Sequence, residues 1–212
     1  MHIQSMNSPD KPASLARICV YCGSGPGADP AFIEAATALG TAMAKAGIGL
    51  VYGGGDMGMM GAVADAVKRG GGSVTGIIPD FLLNKERAGF NGDGLIVTRD
   101  MHERKRKMFE MADAFVAMPG GVGTLEEIVE QMTWAQLGRH KKPILLANIK
   151  DFWQPLCALL DHMKQLAFIR SGMEVNLMVA DRVDDIIPML RSAMQGVPEA
   201  AKDMPEAVAE KL

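Results

Sequence analysis

The feature that most narrows the folds open to this chain is the position of its 24 glycines, many of which stand directly after a short apolar run. The run at 17–22 leads into Gly23-Ser24-Gly-Pro-Gly27, and 48–52 leads into Gly53-Gly54-Gly55-Asp-Met-Gly58. Residues 74–78 end at Pro79-Asp80, 113–118 end at Pro119-Gly120-Gly121-Val-Gly123-Thr124, and 143–148 end near Asp151. A nearly continuous apolar run closed by turn residues fits a strand buried on both faces, as a parallel sheet requires. Helical spacing fills the gaps: Ile33, Ala36, Leu39, Met43 and Ala44, then Met60, Val63, Ala64 and Val67, then 101–112, 125–138, 152–166 and 183–195. Strand, glycine-rich turn and helix in repetition imply an α/β chain, a doubly wound and mostly parallel sheet flanked by helices in the Rossmann-like manner. Ligands of such sheets bind beyond the carboxyl ends of the strands, where these glycines collect.

A length of 212 residues suits one domain. The expected organisation is a polar tail over 1–16, a single nucleotide-binding domain over 17–195 and a Pro/Ala/Glu/Lys-rich tail over 196–212. The formal charge of −3 and pI near 5.8 lack the basic excess of a nucleic-acid binder, although a phosphorylated small ligand needs only a few local cations. No uncharged apolar run reaches the ~18 residues of a membrane span. Segment 1–16 has no continuous apolar core, so the expected location is the cytoplasm. Three cysteines make no disulfide framework. Cys19 and Cys22 form C-x-x-C inside a strand-like run, where an offset of three sends the sulfurs to opposite faces, as plain buried thiols. His2, His102, His140 and His162 are scattered without metal-ligand spacing, so no metal site is expected.

Three motifs could carry chemistry. Gly53-Gly-Gly55-Asp-Met-Gly58 satisfies G-x-G-x-x-G, with Asp80 22 residues beyond it, and admits either a dinucleotide site or simple tight turning between strand and helix. Pro119-Gly-Gly-Val-Gly-Thr-Leu-Glu126-Glu127 lets the backbone approach a ligand and aim amides at an anion. Within it Thr124 and Glu127 also form T-x-x-E, a capping box that would give Glu127 a purely structural job. Met101-His-Glu-Arg104-Lys105-Arg-Lys-Met108 carries four consecutive cations, ordinarily a solvated helix face, but also a possible phosphate grip. Helical phasing of 125–138 sets Leu125, Ile128, Val129 and Met132 on a core stripe, and Glu127, Glu130, Gln131 and Trp134 opposite. A pocket or a partner subunit would then have to cover Trp134.

The last two motifs together resemble the LOG ("lonely guy") family of cytokinin riboside 5′-monophosphate phosphoribohydrolases, once described as lysine decarboxylases. Val20-Tyr-Cys-Gly-Ser24, Leu50-Val-Tyr-Gly-Gly-Gly55, Gly58-Met-Met-Gly61, Gly76-Ile-Ile-Pro79, Thr133-Trp-Ala-Gln-Leu-Gly138 and His140-Lys-Lys-Pro143 match as well, from about residue 17 to 169. The resemblance implies hydrolysis of the N-glycosidic bond of AMP or N6-modified AMP to free base and ribose 5-phosphate, without a cofactor, in a homodimer or larger homo-oligomer. It sets the catalytic pair on Arg104 and Glu127, and nucleotide contacts on Glu86, Lys105, Gly121, Gly123, Thr124, Glu126 and Thr133. The glycine-rich turns add Gly23, Ser24, Gly54, Gly55 and Gly120 to the expected binding set. Val122 stands where many plant relatives have tyrosine, which leaves the base preference open.

The residues suit that chemistry. Breaking the bond builds positive charge on the ribose; a nearby carboxylate stabilises it and orients water, and a guanidinium keeps that carboxylate ionised. The competing reading is a non-catalytic nucleotide-binding or carrier module of the same fold. A decarboxylase would need a pyridoxal-phosphate lysine, and no lysine stands in a recognisable context for one.

Overall fold

A computed structural model describes residues 14–83, 94–170, 172 and 175–195. The expected tails at 1–16 and 196–212 lie almost wholly outside the described residues, and so does Glu86. In chain order the elements are β1 (Arg17–Tyr21), α1 (Ala31–Lys45), β2 (Gly49–Tyr52), α2 (Gly58–Arg69), β3 (Val74–Pro79), β4 (Leu95–Thr98) and α3 (Met101–Met111). There follow β5 (Ala114–Ala117), α4 (Val122–Gln136), β6 (Ile144–Ala147), α5 (Gln154–Gln165), β7 (Leu177–Ala180) and α6 (Val183–Met194).

The strands form one sheet in the order β4-β3-β2-β1-β5-β6-β7, and every pairing is parallel. The chain winds outward from β1 to β4, returns beneath the sheet through α3, and winds outward again from β5 to β7. The winding direction therefore switches between β1 and β5, the switch point at whose crevice open α/β sheets bind their ligands. The central strands are buried on both faces: Ile18, Val20 and Cys22 pack beneath α1, α2 and α6, while Cys19, Tyr21, Phe115 and Ala117 pack beneath α3, α4 and α5. Cys19 and Cys22 thus lie in opposite layers as free, buried thiols, as their spacing implied. At the edge of the crevice the Trp153 indole N–H donates to the Ala117 carbonyl at 3.0 Å, tying the start of α5 to the end of β5.

The two edge strands, β4 and β7, are absent from the sequence reading. Each is four residues long with a single buried position, although Leu-Ile-Val-Thr and Leu-Met-Val-Ala are apolar runs like those of the interior strands. Helix α4 begins at Val122, three residues before its expected start, because Gly121 is its N-cap.

Candidate active site

The geometry of α3 is set at its first turn. Asp100 accepts a hydrogen bond from the Glu103 N–H at 2.8 Å, and Glu103 accepts one from the Arg99 N–H at 3.0 Å. These reciprocal bonds satisfy amides that the helix itself leaves unpaired. From that start, helical phase divides the four cations. Arg106 and Lys107 stay on the solvent side in long i,i+4 pairs with Glu110 and Glu103, both at 3.9 Å. Arg104 turns inward with Met108 and Phe109. The solvated-face reading holds for half of the run and fails for the other half.

Arg104 is only 7% exposed and is held from three directions. Its Nε donates to the Ile77 carbonyl at the end of β3 at 3.0 Å, Nη1 lies 3.7 Å from Met101 Sδ, and Nη2 pairs with Glu127 Oε1 at 3.2 Å. Gly53, which follows β2, lies directly against Nη2, and a methyl group there would overlap the guanidinium. The G-x-G-x-x-G turn therefore makes room for an arginine, whatever else it binds. Beside this pair, Lys105 Nζ bonds Glu126 Oε1 at 2.6 Å and Glu130 Oε1 at 2.9 Å. Burial works to lower the Lys105 ammonium, but its hydrogen bonds to the Glu126 and Glu130 carboxylates outweigh it and leave its pKa raised.

The start of α4 carries no side-chain cap, so no side chain takes up the amides of its first turn. The expected capping box does not form. Thr124 lies inside the first turn rather than at the cap, and Glu127 reaches Arg104 rather than back to the backbone. Three glycine-rich loops meet here. The Gly23 N–H donates to the Pro119 carbonyl at 3.1 Å, and the Met59 and Met60 amides donate to the Gly25 and Gly23 carbonyls at 3.3 Å. Gly120 sits so close under Thr124 Oγ1 and the Gly23 amide that no side chain fits.

The expected stripe of α4 is rotated. Thr124, Glu127, Ile128, Gln131 and Met132 face inward, while Leu125 and Val129 are 38% and 40% exposed. Glu127 points in because Arg104 meets it from α3, while the buried Gln131 amide has no hydrogen-bond partner among the described residues. The apolar pair points out, into a groove of about 600 Å³ bounded by Leu156, Leu159, Met163, Phe168 and Val179. Trp134 packs edge-on against Phe109 at 5.2 Å with the Arg139 guanidinium 4.2 Å from its ring, so this chain itself covers it.

The structure brings together Gly23, Gly120, Thr124 and the Arg104–Glu127 pair, with Lys105 and Glu126 alongside and Gly54 and Gly55 buried in the loop after β2. Ser24 and Gly123 are exposed near Gly23 and the N-cap Gly121. Thr133 is not brought to the pair. It is exposed on the groove face, its hydroxyl donating to the Val129 carbonyl at 2.8 Å. Glu130 is the residue that the sequence reading omitted from the site; its spacing of three from Glu127 and four from Glu126 was the available signal. Behind the site, burial raises the Cys19 and Cys22 thiols and the Tyr21 phenol, with the charge of Glu127 adding to the effect, which leaves both thiols protonated and unreactive. Among the described residues no cluster of His, Cys, Asp and Glu could hold a metal ion, and no helix is long and apolar enough to cross a membrane.

Comparison with known proteins follows the same lines. A family model described as "Possible lysine decarboxylase" matches residues 60–190. A rice protein named "Probable cytokinin riboside 5'-monophosphate phosphoribohydrolase LOGL1" is 40% identical over 196 residues, which cover 91% of this chain and 88% of the relative. An Arabidopsis thaliana "Cytokinin riboside 5'-monophosphate phosphoribohydrolase LOG7" is 46% identical over 153 residues, covering 72% and 70%. Among solved structures, the molybdenum cofactor binding protein from Rippkaea orientalis superposes with a TM-score of 0.62 at 24% identity, covering 84% of this chain and 97% of that one, a likeness of fold alone. With that breadth of match to its relatives, this chain belongs to the LOG family, the group described by the lysine decarboxylase model.

Proposed function

We propose that the chain is a nucleoside 5′-monophosphate phosphoribohydrolase, cleaving the N-glycosidic bond of AMP or N6-modified AMP to release the free base and ribose 5-phosphate. The observation that carries the reading is the buried Arg104–Glu127 pair, nearly two turns along from an uncapped helix N-terminus beside glycine-rich loops. The 5′-phosphate sits on the amides of Gly121, Val122, Gly123 and Thr124, which supply donors and the positive end of the α4 dipole. Glu127, about 9 Å along the helix axis from the N-cap, then stands beside the ribose. As the C1′–N9 bond breaks, its electron pair leaves with the base, and Glu127 stabilises the positive charge left on the sugar. The same carboxylate orients the water whose oxygen bonds C1′ and accepts the proton that this water gives up. Arg104 keeps Glu127 ionised, and solvent supplies the proton taken up by the base.

The fold itself does not separate this reading from the carrier alternative, since a molybdenum cofactor binding protein shares it. The ion pair supports hydrolysis, because a carrier needs the anion-binding turn but no carboxylate braced beside the sugar. Lys105 is poorly suited to a decarboxylase: a Schiff-base lysine must lose its proton, and Lys105 is stabilised in its charged form. The test is chromatography of the products after incubation with nucleoside mono-, di- and triphosphates. Free base from monophosphates alone is expected; binding without base release refutes the hydrolase.

We further propose a cytoplasmic homodimer of one catalytic domain, residues 17–195, with a second copy filling the groove beside α4. The exposed Leu125, Val129, Leu159 and Phe168 support that interface, and a partner there would border Thr133 and the outer face of the catalytic helix.

A further inference from the structure

The Lys105 ammonium is shared between two carboxylates of very different surroundings. Glu126 is 51% exposed along its side chain, whereas Glu130 is 21% exposed and its Oε2 is enclosed, without a hydrogen-bond partner among the described residues. Neighbouring Arg104 is fixed by Ile77 and Glu127, so Lys105, on its flexible stem, is the cation of this cluster that can move. Two cations face three carboxylates here, and an incoming phosphate makes that balance worse unless one carboxylate withdraws. Releasing Glu126 into water is easy, because an exposed ion pair contributes little. Releasing Glu130 takes the cation from a mostly buried carboxylate whose Oε2 is already enclosed, which is the more unfavourable of the two.

We propose that Lys105 is a hinged cation, anchored by Glu130 and let go by Glu126 when a phosphoribosyl group enters, which makes Glu130 a positioning residue for substrate binding. This rests on the phosphoribohydrolase reading above. An ammonium has three N–H donors, and the structure engages two of them. The third, together with the one freed from Glu126, turns to the ligand, while Glu130 keeps the stem aimed at the crevice. Affinity for the phosphorylated sugar then depends on Glu130 without Glu130 touching it.

The test is calorimetric titration with ribose 5-phosphate of wild type, Glu130→Gln, Lys105→Ala and the double variant, with kcat and KM measured in parallel. Glu130→Gln should weaken binding about tenfold and raise KM alongside, with kcat falling far less. Adding Glu130→Gln to Lys105→Ala should bring no further loss, because the effect travels through the lysine. Unchanged binding in Glu130→Gln, additive losses in the double variant, or no binding of ribose 5-phosphate to wild type would each overturn the proposal. If Glu130→Gln fails to fold, Glu130→Asp, which keeps the charge on a shorter arm, takes its place in the same cycle with the same outcomes. Wild type that binds ribose 5-phosphate but releases no base would refute the hydrolase reading and leave this cycle readable.

Discussion

Removing Arg104 should damage the fold more than removing the charge of Glu127, although both changes should stop the reaction. Arg104→Ala leaves the Glu127 carboxylate, 8% exposed, without its 3.2 Å partner. Breaking a buried pair from one side costs about 3–5 kcal/mol, and the location at the rim of the crevice selects the lower end. The Ile77 carbonyl also loses its donor, for about 1 kcal/mol more. A loss near 4 kcal/mol in a chain of this size corresponds to a fall in Tm of about 8–16 °C. Glu127→Gln keeps an amide oxygen for Nη2 and gives up only the charge, about 1–2 kcal/mol and about 2–8 °C. Base release should drop about 10²–10³-fold or more in both, the scale of losing one preorganised electrostatic group. Differential scanning calorimetry and product chromatography on the same preparations read both effects. If Arg104→Ala melts within 2 °C or so of wild type, or Glu127→Gln is the less stable of the two, the pair does not carry the energetics assigned to it. Turnover within about tenfold of wild type in either variant would remove it from the chemistry.

Further outcomes follow from other contacts. Gly53→Ala should displace the Arg104 guanidinium and cost about 1–3 kcal/mol, seen as a lower Tm together with a lower kcat/KM; a silent variant would show that the loop yields freely. The Asp100 carboxyl is held below its usual value of 3.8 by the hydrogen bond from the Glu103 amide. Its contribution to stability is therefore present above that value and lost as the pH falls through the lowered one. The Tm gap between wild type and Asp100→Ala should accordingly be widest near neutrality and narrow in acid, and a gap independent of pH would contradict this. Val129→Asp puts a charge into the apolar groove and should shift light scattering from dimer toward monomer, whereas Trp134→Glu should chiefly lower Tm, since Phe109 and Arg139 already cover that ring. A Val129→Asp variant with unaltered mass would exclude the groove as the interface.

How much of this was legible in the sequence differs by element. The interior strands announce themselves because burial on both faces demands unbroken apolar runs such as Ala114-Phe-Val-Ala117. Leu95–Thr98 and Leu177–Ala180 are apolar runs as well, so composition does not explain why they escape the pattern; each has one buried residue because it lies at the sheet edge. The phase of α4 was misread because its pattern serves two masters. Glu127 points inward, where α3 brings Arg104, while Leu125 and Val129 face a groove that the single chain leaves open. Local rules for a helix in isolation, amphipathic phase and capping box alike, fail at the site itself, where function sets the side chains against the pattern. The pairing of Arg104 with Glu127 was legible only through the resemblance, since the charge run alone fits a solvated face better, and the Glu130 partner of Lys105 was not read at all.

The most direct test of the account is a crystal structure of Glu127→Gln soaked with AMP. The 5′-phosphate is expected on the amides of residues 121–124, with C1′ within contact distance of residue 127 and Arg104 still in place against Ile77. A nucleotide lodged elsewhere, or one whose sugar lies away from residues 104 and 127, would contradict it.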